Sequence, residues 1–289
     1  MKSLIKNKFY LAIFTFSSLN TYGMDLDSGD YIAAPAGTNV ALFYLQYAKR
    51  NSLYDSDNKS PGSYGLESEI GILRFAHFTE LFSYITAPQV IIPFGQLKAS
   101  KDIAKYGDSS GLLGDIIFAS PTWLINDSVE GRYWGISPYL TIPTGHYSKD
   151  KTLNIGENRY KLTLQTSYLK IFDNKIGLDI SGDITFYGKN DDYQESYLKQ
   201  DLGYQLQTST FYKVNNSFDL RTGLSYSDLG KTKDKSISFD STKQSKFWVG
   251  SAINLSKKSN LIFTYGKDIK VENGFKEKDR VNFRFMYVY

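Results

Sequence analysis

The chain contains no cysteine, which excludes a disulfide framework, thiolate metal ligands and thiol nucleophiles. It holds only two histidines, His77 and His146. Beyond the N-terminus it lacks any stretch approaching the roughly 20 apolar residues that a membrane helix needs. It also lacks a dominant charge: 34 Lys and Arg stand against 30 Asp and Glu, a formal net charge of +4, so no broad attraction to nucleic acid is expected. There is no calcium-loop pattern, phosphate-binding glycine loop or metal-ligand cluster, and neither cofactor nor metal is expected. Composition alone allows one large or two small domains.

What is abundant is aromatic: 23 Tyr and 19 Phe, with aromatics at 16% of the chain. The first residues carry their own signal. Lys2, Lys6 and Lys8 precede the apolar run FYLAIFTFSSL (9–19), and Thr21 and Gly23 supply small residues where a signal peptidase reads. This layout predicts a cleaved secretory signal peptide over residues 1–23. Losing its three lysines takes the formal charge of +4 to about +1.

Alternation dominates the remainder. In KIGLDISGDITFY (175–187), Ile176, Leu178, Ile180, Ile184 and Phe186 oppose Gly177, Asp179, Ser181, Asp183 and Thr185. This period of two outlasts the ~5–6 residues of an ordinary globular strand. The segments 160–168, 201–207 and 217–227 repeat it, and the terminal RVNFRFMYVY sets Val281, Phe283, Phe285, Tyr287 and Tyr289 against Asn282, Arg284, Met286 and Val288. Short polar turns at 126–127, 173–174, 215–216 and 257–259 alternate with longer charged stretches at 49–65, 98–111, 144–158, 189–196, 231–241 and 271–279. Long loops then gather at one end of a meander and tight turns at the other. The pattern predicts an all-β chain: a closed antiparallel up-and-down transmembrane β-barrel of about 12 strands, with its apolar parity toward lipid. A soluble sandwich or lipocalin-like barrel would turn that parity inward and use shorter strands.

The expected organisation is a signal peptide (1–23), a short periplasmic or plug segment (24–36) and an outer-membrane barrel (37–289), placing the chain in the bacterial outer membrane. The first strands differ from the later ones. Segments 37–48, 85–95 and 114–125 are apolar on both parities, predicting a greasy inner wall there and a charged one along the C-terminal strands. Pro88, Pro93, Pro121, Pro138 and Pro143 cluster in this half and predict local breaks, because proline removes a ladder donor.

Four stretches carry a family resemblance: GLLGDIIFASPTWLI (111–125), ISPYLTIPTGHY (136–147), NIGENRYKLTLQTSY (154–168) and FYGKNDDYQES (186–196). In order and spacing they resemble the outer-membrane family labelled "putative MetA-pathway of phenol degradation", over roughly residues 111–230. The resemblance departs at Ser196, where the family favours glycine. It implies a transporter-like barrel connected with aromatic or other hydrophobic compounds, and no enzymatic step.

The candidate pore lining is the polar parity of the C-terminal half: Lys161, Asp179, Asp183, Lys199, Asp201, Asp219, Arg221 and Arg284. Inward charges in a twelve-stranded barrel either line a conduction path or fill the interior as ion pairs, since eight-stranded barrels are filled and porins are open. Three functions follow: a channel for small hydrophobic or aromatic solutes, a structural or adhesion barrel working through its outer loops, and an outer-membrane phospholipase. The last needs an oriented Ser/His pair, but the two histidines belong at opposite strand ends, on the order of 20 Å apart at ~3.3 Å per residue. No catalytic residue is expected. The expected partners are outer-membrane lipid and lipopolysaccharide, a small-molecule solute, and the barrel assembly machinery through the C-terminal aromatic strand.

Overall fold

The structure is a computed structural model that describes residues 25–109, 111–194, 196–235 and 237–289; the expected signal peptide (1–23) lies outside them. Twelve antiparallel strands form the wall. They are β1 (Asn39–Asp55), β2 (Tyr64–His77), β3 (Gln89–Lys101), a split β4 (Ile116–Ala119 and Thr122–Asp127), β5 (Arg132–Ile142) and β6 (Lys161–Phe172). Then follow β7 (Ile176–Tyr187), β8 (Gly203–Lys213), β9 (Phe218–Asp228), β10 (Lys243–Ser256), β11 (Ser259–Glu272) and β12 (Gly274–Val288). Each pairs with its chain neighbours, and β12 pairs with β1 from Val40↔Val288 to Tyr54↔Gly274, closing the barrel. Closure leaves no open edge, which hydrocarbon could not satisfy.

The expected parity holds. Along β6 the inward Lys161, Thr163, Gln165, Ser167 and Leu169 are buried, while Leu162, Leu164 and Tyr168 are exposed. In β7, β8 and β9 the outward Ile180, Leu206 and Leu224 are 59%, 60% and 52% exposed. So much oily surface facing out is what a lipid-embedded wall presents. The tight turns at 173–174, 215–216 and 257–259 fall where expected, but Asn126 and Asp127 still pair with β5 and that turn follows at 128–131. Asp173 and Asn174 both take positive φ, 49° and 55°, the geometry of the turn that matches strand twist in a two-residue hairpin.

Two expectations about the loops are corrected. The stretch 271–279 is no loop: β11 and β12 join through Asn273 alone, at φ 53°. The stretch 49–65 is mostly wall, because β1 runs on to Asp55 and β2 begins at Tyr64. The charges that suggested loops belong to the extended strand ends: some face outward, and Arg50 and Glu277 face inward as a buried pair. There Lys98 pairs with Glu69 at 2.8 Å and Lys49 with Glu67 at 3.6 Å.

The wall breaks where the prolines predict. β4 is interrupted at Ser120–Pro121, and its lower half meets β3's side only through Thr86↔Thr122. The outer half of β3 pairs with a loop: Gly95 N donates to Leu112 O at 2.7 Å and Gly114 N to Pro93 O at 2.8 Å. Gly95 has φ 154°, and a Cβ there would lie 2.0 Å from Glu69 O, so only glycine fits. Pro138 sits inside β5, but its carbonyl accepts from Ser120 N at 3.3 Å. Its missing donor therefore faces the interrupted ladder, where it costs least.

Candidate functional site

The buried, inward-facing side chains differ in polarity between the first and the later strands. Inward residues of β1–β5 include Ile70, Ile72, Ile91, Ile117, Ala119 and Tyr139, which pack into one apolar cluster with Tyr44. Inward residues of β6–β12 are mostly polar or charged, with Gln165, Asp179, Gln205, Gln207, Lys246, Asp268, Arg280 and Arg284 all buried, although Leu169, Phe211, Ala252 and Ile262 are buried there too. Water is absent from neither side by necessity, but a buried charge needs a partner, and the N-terminal segment supplies several.

That segment, residues 25–38, runs inside the barrel. Asp25 bridges Lys246 at 3.0 Å and Arg280 at 3.3 Å. Arg284 binds Asp30 at 2.6 Å and Asp27 at 3.1 Å. Ser28 Oγ donates to Asp179 at 2.6 Å, and Gly29 N donates to the same carboxylate at 3.2 Å. Leu26 exchanges hydrogen bonds with the Gln207 amide. At the other side, Trp123 Nε1 donates to Tyr31 O at 2.8 Å, and the Tyr31 hydroxyl meets Ser137 Oγ at 2.6 Å. Glycine makes room for these rings: a Cβ on Gly135 would lie 2.9 Å from Tyr31, and one on Gly177 2.1 Å from Phe211. Burial alone would raise the Asp30 carboxyl, but the Arg284 guanidinium outweighs it and holds Asp30 below the usual carboxylate range.

At the outer end, loops pack against the wall. Ile103, Leu153 and Ile155 fold inward onto Leu66, Leu97 and Phe275. Beside them Glu157 takes both Arg159 and Lys161 at 2.6 Å, with all three side chains no more than 4% exposed. Burial acts to raise the Glu157 carboxyl; Lys161 and Arg159 reverse that and hold it below its ordinary value. At the β12–β1 seam, Arg50 and Glu277 form a fully buried pair, and Arg280 approaches Glu277 at 3.8 Å.

Six of the eight candidate lining residues face the lumen. Asp179, Arg221 and Arg284 converge on the N-terminal segment, with Arg221 Nη1 donating to Ser28 O at 2.8 Å. Asp219 holds Arg221 at 2.5 Å. Asp183 projects from β7 opposite Gln165, and Lys161 belongs to the Glu157 group. Lys199 and Asp201 do not line the barrel. Lys199 lies on Ser196–Gln200, part of a four-stranded sheet in the outer loops, and exposed Asp201 follows it. The alternation of 201–207 runs on from that loop into β8, so parity alone could not mark where the wall begins. Sequence reading missed Asp25, Asp27, Asp30, Arg50, Arg74, Lys246, Glu277 and Arg280. Isolated cations on apolar parities, as at Arg50 and Arg74, were the available signal.

A wall of this kind has known counterparts. A family model, "Putative MetA-pathway of phenol degradation", matches residues 50–285. The chain belongs to this family. The match extends well beyond the four stretches that suggested it. The COG4313 outer membrane channel from Pseudomonas putida F1 is similar at 33% identity and TM-score 0.87, covering 92% of this chain and 100% of that one. The β domain of the Bordetella autotransporter BrkA (8% identity, TM-score 0.55, 88% and 100% covered) shares the fold alone. So does the translocator domain of NalP from Neisseria meningitidis (8% identity, TM-score 0.54, 95% and 96% covered). No curated protein matches the chain in sequence. Family and fold together make it an outer-membrane β-barrel of the transporter-like kind.

Proposed function

We propose that this barrel is a passive channel for small hydrophobic or aromatic solutes, which pass between its apolar wall (β1–β5) and its charged wall (β6–β12). The observation that carries the reading is the two-sided lumen: an amphipathic solute can keep its apolar face on the isoleucine cluster while its polar group exchanges along the opposite side. The similar Pseudomonas putida protein is itself called an outer membrane channel. Residues 25–38 occupy the path through hydrogen bonds and ion pairs, and one apolar anchor at Tyr31, so they act as a displaceable gate. Hydrolysis is not part of the reading. His77 bonds Asn39 at 2.8 Å at the turn end of β2, while His146 accepts from Leu113 N at 3.1 Å in an outer loop.

One observation favours a second reading, a structural or adhesion barrel. The lumen holds the N-terminal segment and the inward loops, and a four-stranded sheet stands among the outer loops. In either case the outward face contacts lipid, the outer loops contact lipopolysaccharide, and the C-terminal strand is the element the assembly machinery engages. Planar-bilayer recordings with liposome swelling decide between them. Conductance and entry of small aromatic solutes support the channel, while a silent bilayer and no swelling with the segment removed support the filled barrel.

A further inference from the structure

Between the N-terminal segment and the turn-end mouth of the barrel lies a cavity of about 420 Å³, within the size range of small-molecule sites. Apolar groups supply much of its lining, among them Val40, Leu42, Ala76, Phe78, Trp123 and Met286. Its charged lining is unequal: Arg74, Lys213, Arg221 and Arg284 against Asp30 and Asp219, an excess of two positive charges. The carboxylates are already taken, Asp30 by Arg284 at 2.6 Å and Asp219 by Arg221 at 2.5 Å.

Arg74 is the exception among the inward arginines. It projects from β2 beside Ile72 and Ala76, and among the described residues it forms no ion pair; the carboxylate in its electrostatic reach, Asp30, is bound by Arg284. Its contacts are neutral: Nε donates to Gln89 Oε1 at 2.5 Å and Nη1 to the Tyr44 hydroxyl at 3.4 Å. Gln89, buried at 7% exposure, lines the same cavity, and its Nε2 has no acceptor. The donation from Arg74 fixes the amide orientation, so the Nε2–H cannot swap places with the oxygen. A half-buried guanidinium edge and a buried amide N–H, neither with a carboxylate in hydrogen-bonding reach, form half of a charge-assisted site. Leaving such donors unmatched is costly, and a carboxylate would match both.

We infer that this cavity binds a small organic monocarboxylate, its head on Arg74 and Gln89 and its apolar body against Ala76, Phe78 and Trp123. The inference rests on the channel reading and names its substrate class: a monoanionic, compact apolar acid rather than a neutral hydrocarbon. Lys213, without a carboxylate partner at the mouth among the described residues, adds positive potential where such an anion enters or leaves.

The test uses benzoate and its uncharged isostere benzamide on the full purified protein, by calorimetry in micelles and by proteoliposome uptake. Benzoate is expected to bind saturably and at least ten-fold tighter than benzamide. Arg74→Gln should remove that difference, while Arg74→Lys retains part of it. Equal binding of the two probes by the unmodified protein overturns the inference even if a variant fails to fold, and so does undiminished benzoate preference in Arg74→Gln. The two readings fail separately. Uptake of both probes without charge preference keeps the channel and sinks the carboxylate site. Arg74-dependent benzoate binding with no uptake keeps the site and sinks the channel.

Discussion

Arg284 of the closing strand donates to Asp30 of the N-terminal segment at 2.6 Å, joining residues 254 positions apart. The same guanidinium reaches Asp27 at 3.1 Å and stacks near the Tyr44 ring at 5.9 Å. One side chain thus links the gate to both edges of the β12–β1 seam. The charge pair sits in a polar interior that can admit water once the segment moves, so its net worth lies nearer the ~1.5–3 kcal/mol of a charged hydrogen bond than a fully dry pair.

Asp30→Asn should therefore raise the open population by about ten-fold or more, a factor of ten being about 1.4 kcal/mol. Single-channel recording reads this directly as more frequent openings at unchanged unit conductance. Unchanged opening frequency would remove Asp30 from the gate.

Acid should mimic that variant. Arg284 depresses the Asp30 carboxyl in the closed form. A depressed folded value means the closing contribution is complete above the released carboxylate's ordinary pKa of about 3.9 and fades as pH falls through the lower, gated value. Conductance should climb as pH is lowered below about 4, and Asp30→Asn should flatten the climb. A pH response identical in both proteins would assign it elsewhere.

The outer-end group makes a separate stability prediction. Glu157 is buried with Arg159 and Lys161, so Glu157→Gln leaves two cations without their carboxylate, at a cost of about 3–5 kcal/mol. Because the folded carboxyl is held low, wild-type stabilisation is full above about pH 4.3 and lost below it as the group protonates. Urea unfolding in micelles at pH 7 and pH 3.5 should show the variant's deficit shrinking with acid.

Packing over glycine supplies another. A Cβ at Gly177 would fall 2.1 Å from the Phe211 ring, which is 3% exposed among Trp123, Tyr133 and Leu169. Gly177→Ala must push that ring out of its cluster and should cost about 1–3 kcal/mol. A stability within a few tenths of wild type would show that the ring has another place to go.

How much of this was legible in the sequence follows from which forces act locally. Lipid imposes a strict parity, so Ile180, Leu206 and Phe285 announced their direction, and the order of turns gave the strand number. Pro121 and Pro93 marked the broken stretch because a missing donor is a local property. The partners of Arg284 were not legible, since Asp27 and Asp30 carry no periodicity and the segment could equally have hung outside. Glu272-Asn273-Gly274 was read within a charged loop although Asn-Gly favours a tight hairpin; charge outweighed turn chemistry in that reading. Lys199 and Asp201 share the alternation of the wall, but Lys199 belongs to a strand among the outer loops and Asp201 to the link that follows it, because alternation does not stop at the membrane surface.

A channel of the proposed kind conducts small amphipathic solutes once residues 25–36 leave its lumen. Its most direct measurement is liposome swelling with benzyl alcohol for the purified protein and for a variant lacking those residues, at equal barrel content. Measurable entry is expected through the intact chain, and entry at least several-fold faster through the shortened one. Impermeability of both would contradict it.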